Sequence, residues 1–393
     1  MKKVLAALLT AVFLLSLSAC SQEQTPPDPN SATANPEEEA PPQVEADEPP
    51  SPTEEELVAS EIDALLDSMS LEEKAGQLFF VRVPAENAVE DVSAYHLGGY
   101  ILFGRDTKDK TANELIQTIQ HYQDAADIPL LIGVDEEGGT VVRVSSNPHI
   151  RSEKFASPQR LYTLGGMEQI IEDTREKDVL LQSLGFNVNL APVADVSTDP
   201  GDFIYARSFG QGGTETADYV SAVTGQMTAD GMGSVLKHFP GYGNNVDTHT
   251  GIAVDQRPME TFASADFLPF LAGFEGGGDL TSVLMSHNIV ECMDPVLPAS
   301  LSPAAHQLLR ETLGFDGVVM TDDLAMEAVA AYAEDGAVAV MAIEAGNDLM
   351  ITSDYRTQIP KVIEAVENGT LSEETIDVAC HRVLTWKQAI GLL

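Results

Sequence analysis

From about residue 77 onward the chain alternates two textures. Short apolar runs rich in β-branched side chains recur at 77–83, 99–103, 130–134, 187–193, 234–238, 282–286, 317–321 and 348–352. Each has the length of a buried strand and is too short for a helix. Between them, apolar positions three and four apart predict helices at 111–126, 167–184, 215–230, 259–275, 303–312 and 326–345, with two more at 355–367 and 373–390. Strand and helix in regular alternation predict an α/β fold of βα units on a parallel sheet. Eight units over roughly 280 residues fit a single closed (β/α)8 TIM barrel. The rival is a doubly wound open sheet, which marks its first βα turn with a glycine fingerprint; none follows Val83.

Residues 1–20 read differently, with Lys2 and Lys3, an apolar stretch at 4–17, and then Ser18-Ala19-Cys20. The stretch is short for a bilayer span and has the form of a signal peptide. A cysteine directly after small residues resembles the bacterial lipobox, which makes Cys20 the expected lipidation site. An ordinary signal cleaved nearby, with Cys20 incidental, is the alternative. Residues 21–60 hold nine prolines and eleven acidic residues without a lysine or arginine. Such a segment lacks the apolar surface to offset its ordering entropy, so a disordered acidic tether is expected there, and the folded domain at 61–393. Anchor and tether together predict an extracytoplasmic protein of the cell envelope, attached to the membrane only through its lipid.

Charge narrows the partners. The 393 residues carry 21 basic against 62 acidic side chains, a formal net charge of −41. An anionic excess of that size repels phosphate backbones, which sets nucleic acid aside. Cys292 and Cys380 are expected as buried thiols, with a disulfide between them the less favoured option.

The polar residues that close the apolar runs carry the chemistry. Asp135 and Glu136 follow the third run, Asp195 the fourth, Lys237 and His238 end the fifth, His287 follows the sixth, and Asp322 and Asp323 the seventh. In a closed barrel all C-terminal strand ends meet on one face, so these side chains are expected around one site. After Lys237-His238-Phe239, the residues Pro240, Gly241 and Gly243 break the strand and set Asp247 and His249 on a loop above the rim. Asp-x-His can be a local turn bond. It also reads as a dyad, in which the Asp247 carboxylate orients one imidazole nitrogen and the other exchanges a proton near neutral pH. A carboxylate leaving the end of a buried strand is desolvated and rigid, which suits a nucleophile at a sugar carbon. Alternation along the strand turns one of Asp322 and Asp323 inward; Asp322 is taken as that one, and Asp323 as the cap of a helix starting at Leu324. The donors His238, Asp247, His249 and His287 suit zinc, but the ammonium of Lys237 beside them opposes a cation, and neither metal nor cofactor is expected. His287 reads equally as a support of the site or a satisfied core imidazole, and His96, His121, His149, His306 and His381 as surface or helix residues.

These stretches resemble glycoside hydrolase family 3, in its β-N-acetylglucosaminidase branch. So do Asp135-Glu136-Glu137-Gly138-Gly139 with Arg143, Asn189-Leu190-Ala191-Pro192, Arg207-Ser208-Phe209-Gly210 and Pro298-Ala299-Ser300-Leu301-Ser302, and the similarity covers essentially all of 61–393. The resemblance implies a retaining exo-glycosidase that removes terminal β-linked N-acetylglucosamine from peptidoglycan (muropeptide) or chitin-type oligosaccharides through a covalent glycosyl-aspartate. It implies Asp322 as the nucleophile and His249, oriented by Asp247, as the acid/base. It further implies that Asp135, Arg143, Arg207, Lys237 and His238 bind the terminal sugar, with Asp195 a secondary contact. A histidine acid/base departs from the usual pair of carboxylates. This chain departs from the family at Tyr242, where a histidine is common, and in a slightly shorter loop before Asp247; both bear on aglycone preference. About 40 residues follow the eighth run, too few for a second α/β domain. That favours a compact single-barrel monomer over a family 3 β-glucosidase. A phosphate-dependent β-glycoside phosphorylase and a non-catalytic sugar-binding envelope lipoprotein are the remaining readings.

Overall fold

The computed structural model describes residues 54–245, 253–326, 329, 332–333 and 337–393. The expectations for Cys20, Asp247 and His249 lie outside this set. Eight strands form one parallel sheet: β1 (Phe79–Arg82), β2 (Gly99–Leu102), β3 (Leu131–Val134), β4 (Val188–Asn189), β5 (Gly233–Phe239), β7 (Thr281–Met285), β9 (Val319–Thr321) and β10 (Met350–Thr352). The remaining pair, β6 (Val254–Asp255) and β8 (Ile289–Val290), forms a small separate sheet.

The order of the large sheet is β10-β1-β2-β3-β4-β5-β7-β9. A parallel bridge between Met320 and Leu349 brings its two ends together, with the Thr321 amide donating to the Leu349 carbonyl at 3.1 Å. First and last strands are therefore neighbours, as in a (β/α)8 barrel and unlike an open doubly wound sheet. All eight apolar runs fall on these strands. Every residue of β2, β3 and β5 is buried, which is why the runs read as continuous rather than alternating. Large side chains meet small ones inside the barrel. A Cβ on Gly133 of β3 would lie 2.3 Å from the ring of Phe80 on β1, so glycine there leaves the space that the phenyl fills.

Helices Ala112–Asp124, Gly213–Asp230, Tyr355–Glu367 and Glu373–Ala389 lie where periodicity places them. A reciprocal cap starts the first, with Thr111 Oγ1 accepting from the Glu114 amide and the Glu114 carboxylate from the Thr111 amide. The helix expected from 167 instead runs Pro158–Leu184, with Gly165 and Gly166 outside helical φ/ψ at a kink; those glycines hide its first turns from a periodicity count. π-helical turns at Phe262–Asp266 and Leu308–Thr312 interrupt two others. Near the helix expected at 326–345, residues 324–326 form a turn, and a helix occupies Val338–Ala345.

The expected tether is too long at its C-terminal end. Helix Glu54–Ser68 begins inside it. Past residue 60 the same helix buries Ile62 and packs Leu65 and Leu66 against the core, and that apolar face offsets the ordering of the turns that precede it. The proline-rich, acidic composition of 21–60 as a whole conceals the start of that helix at Glu54. Cys380 is buried as expected; Cys292, in the turn after β8, is exposed, and both are free thiols. Among the described residues no helix is long and apolar enough to cross a membrane.

Candidate active site

The C-terminal strand ends open onto a cavity of about 500 Å³. Asp135, Arg143, Arg207, Lys237, His238 and Asp322 all line it. The structure thus gathers these six into one space, whereas Asp195 does not line it. Arg82, Phe103, Phe203, Asp323 and Met326 line it as well.

Local geometry explains how consecutive residues can share the cavity. Pairing of β5 with β7 shifts register between Lys237 and Phe239, so His238 is an extra residue on its strand, and a bulge of this kind re-aims side chains. Lys237 and His238 both line the cavity as a result. Asp322 and Asp323 also both line it, contrary to the expected alternation, because β9 ends at Thr321 and the period of two no longer binds them. The Asp322 amide still continues the ladder to Met285 O at 3.1 Å. Asp322 Oδ1 accepts the Asp323 amide at 2.8 Å, and Asp323 Oδ1 the Ala325 amide at 2.9 Å. Asp323 therefore closes a turn and does not cap a helix at Leu324. Burial pushes the Asp323 carboxyl up, against the Ala325 amide, and the neighbouring Asp322 adds to the rise. Buried His287 stands behind this turn, with Nδ1 2.7 Å from Ser300 Oγ and Nε2 3.1 Å from the Asp323 carbonyl. It supports the carboxylate turn from outside the cavity wall.

Two acids that follow Asp135, Glu136 and Glu137, organise the rest. Glu136 is fully buried, and its carboxylate accepts the amides of Arg143 and Val144, each at 2.8 Å, and of Ser145 at 3.2 Å. That folds the loop after β3 back on itself and presents Arg143. Gly138, at φ 99°, makes the turn possible. Glu137 bridges two cations: Arg207 donates to it from Nε and Nη2 at 3.0 and 2.7 Å, and Lys237 Nζ lies 2.6 Å away. Lys237 also donates to Asp135 at 2.7 Å.

Burial opposes ionisation of Glu137, but the Arg207 and Lys237 charges reverse it and hold the carboxyl well below its usual range. Desolvation likewise acts against the Lys237 ammonium, and Asp135 and Glu137 outweigh it, so its pKa lies above the ordinary value. Both cations stay charged across any working pH.

Asp195 is wholly buried and shapes the site without lining the cavity. It accepts the amides of His238 and Tyr242 at 3.1 and 2.7 Å and sits 2.7 Å from His238 Nδ1. That contact puts the proton on Nδ1 and leaves Nε2, 3.3 Å from Arg207 Nη2, as the acceptor. Tyr242 is buried, with its ring 5.5 Å edge-on from His238 and 5.6 Å from Phe203. Paired cations, oriented acceptors and an aromatic rim suit a polyhydroxylated ligand, whose hydroxyls both donate and accept.

The profile of the glycosyl hydrolase family 3 N-terminal domain matches residues 70–386. The chain belongs to glycoside hydrolase family 3. This family 3 chain is 31% identical over 331 residues to the β-hexosaminidase LpqI of Mycobacterium tuberculosis, covering 81% of this chain and 83% of that one. It is 30% identical over 312 residues to a β-hexosaminidase of Idiomarina loihiensis, covering 77% and 89%. A solved family 3 β-N-acetylglucosaminidase from Paenibacillus sp. str. FPU-7 matches with a TM-score of 0.77 at 30% identity, over 83% of this chain and 63% of that one. The solved M. tuberculosis LpqI matches with a TM-score of 0.74 at 27% identity, over 83% and 96%. The family 3 chain is a glycosidase, with β-hexosaminidases as its relatives.

Proposed function

We propose that this family 3 glycosidase is a retaining exo-β-N-acetylglucosaminidase acting on oligosaccharides of peptidoglycan or chitin type. The observation that carries the proposal is the position of Asp322, just past the end of β9, in a cavity walled by Asp135, Arg143, Arg207, Lys237 and His238. In this reading those five residues take the hydroxyls of the terminal sugar and fix its anomeric carbon above the Asp322 carboxylate. Asp322 attacks, and His249, oriented by Asp247, protonates the departing oxygen. His249 then takes a proton from the water that cleaves the glycosyl-aspartate, and configuration is retained. The β-hexosaminidase relatives support N-acetylglucosamine as the sugar. The signal peptide, lipidated Cys20 and tether would place a monomeric enzyme on the outer side of a membrane, where muropeptides are at hand.

Turnover of an aryl β-N-acetylglucosaminide, with the product anomer read by NMR and the rate unchanged by inorganic phosphate, tests the activity; binding without cleavage would overturn it. Asp322→Ala is expected to lower kcat on the order of 10⁴-fold or more while leaving Tm close to that of the parent. His249→Ala is expected to slow disaccharides by about 10²–10⁴-fold and activated aryl glycosides far less, since good leaving groups need little protonation. Equal losses on both substrate types would remove His249 from the acid/base role.

A further inference from the structure

The cations of the cavity divide into two kinds. Arg207 and Lys237 are neutralised from within, by Glu137 and Asp135. Arg82 and Arg143 are not: the Nε–H of each is buried without an acceptor, and neither forms an ion pair among the described residues. Both instead flank the ring of Phe103, with Arg82 Cζ 4.2 Å and Arg143 Cζ 5.9 Å from its centroid. A ring fixes a guanidinium while leaving all its donors unused.

A buried donor left unmade costs about 1–3 kcal/mol, and such groups are rare enough in folded proteins to call for an explanation. Arg143 has one in the terminal sugar of the proposed function. Arg82, at the end of β1, does not. The cavity's acids are engaged elsewhere: Asp135 with Lys237, Asp322 with the Asp323 amide, and Asp323 with the Ala325 amide. Asp323 is near enough for its charge to act on Arg82, but no ion pair joins them among the described residues, so the cavity-lining guanidinium with its Nε–H unmet favours a planar anion over a neutral hydroxyl, because two parallel N–H···O bonds and the charge act together.

We propose that Arg82 binds a carboxylate carried by the substrate, so that the enzyme favours acidic saccharides over neutral ones with the same glycosidic bond. This rests on the glycosidase reading above. A carboxylate on a lactyl ether of the second sugar and one at the end of a peptide attached there present the same chemistry to Arg82.

The experiment compares kcat/KM for three matched pairs of acid and methyl ester. One disaccharide carries a lactyl carboxylate on its second sugar, another carries that lactyl group amide-linked to alanine, and a third carries a hexuronic acid as the second sugar. The wild type is expected to prefer the acid at least tenfold in at least one pair, and the pair that shows it identifies the source. Arg82→Met, which keeps the stem over Phe103, should bring that ratio to within about twofold of one, and Arg82→Lys should retain part of it. Ratios near one in every wild-type pair, or a preference that survives in Arg82→Met, overturn the assignment. Hydrolysis of N,N′-diacetylchitobiose by the wild type tests the glycosidase reading separately, since that substrate carries no carboxylate.

Discussion

Glu137 meets Lys237 and Arg207 at once and is almost fully buried itself. Removing its charge leaves two enclosed cations, Lys237 with its ion pair to Asp135 and Arg207 with no other ion pair among the described residues. Glu137→Gln, close to isosteric, is therefore expected to destabilise the protein by about 3–5 kcal/mol, the usual consequence of breaking a buried pair from one side. Urea unfolding measures it, and a loss below about 1 kcal/mol would show that the three groups do not act as a unit. The role of Glu137 was not legible in the sequence. Three acids in a row after a strand read as a polar loop, and the partners of Glu137, Arg207 and Lys237, lie 70 and 100 positions away. Asp322, Lys237 and His238 were legible because each ends an apolar run. Asp195 was visible for the same reason, but only the packed structure shows it turned onto His238 and away from the cavity.

Turns and strand ends decide how these residues are presented. Gly138 has φ 99°, and a Cβ there would lie 2.3 Å from the Ala156 carbonyl. Gly138→Ala forces both a left-handed alanine and a backbone shift, which costs about 1–2 kcal/mol for the conformation alone. Because the loop it opens carries Arg143, KM for an N-acetylglucosaminide should rise while kcat at saturation changes less; an unchanged KM would place Arg143 outside sugar binding. Strands were the most legible elements, since burial on both faces writes them as unbroken apolar runs. Helices were legible where the apolar spacing persists and obscured where Gly165 and Gly166 interrupt it. The sequence pattern failed where regular geometry ends: the register shift in β5 and the step past β9 each turn two neighbours into one cavity, and a strict alternation predicts one. The helix Glu54–Ser68 was missed because its first residues share the acidity of the stretch before it.

At the scale of the whole barrel, a second polar contact sits at the opposite end from the cavity. Lys387 of the last helix is completely buried and donates to Gln77 Oε1 at 2.6 Å, just before β1. Burial pulls its pKa down to about 7, below the roughly 10.4 of an unfolded lysine. Between those values the unfolded chain holds the extra proton, so this residue makes stability rise as pH increases from 7, by at most about 1.4 kcal/mol per unit. Cys380 beside it acts oppositely at higher pH, since burial pushes its thiol up to about 12. The clean window is therefore pH 7–8.5, where Lys387→Met should flatten the pH dependence of Tm relative to the parent. Parallel curves would show that Lys387 titrates as an ordinary exposed lysine.

The pairing of Lys237 and Arg207 with their own acids has a consequence for the 62 acidic side chains of the chain. Mobile ions damp exposed charge within about 8 Å at physiological salt, whereas contacts sealed under the barrel rim feel little of it. The coat of the molecule can thus gain or shed carboxylates as its surroundings become more or less briny, while the grip on an uncharged sugar ring stays as it was.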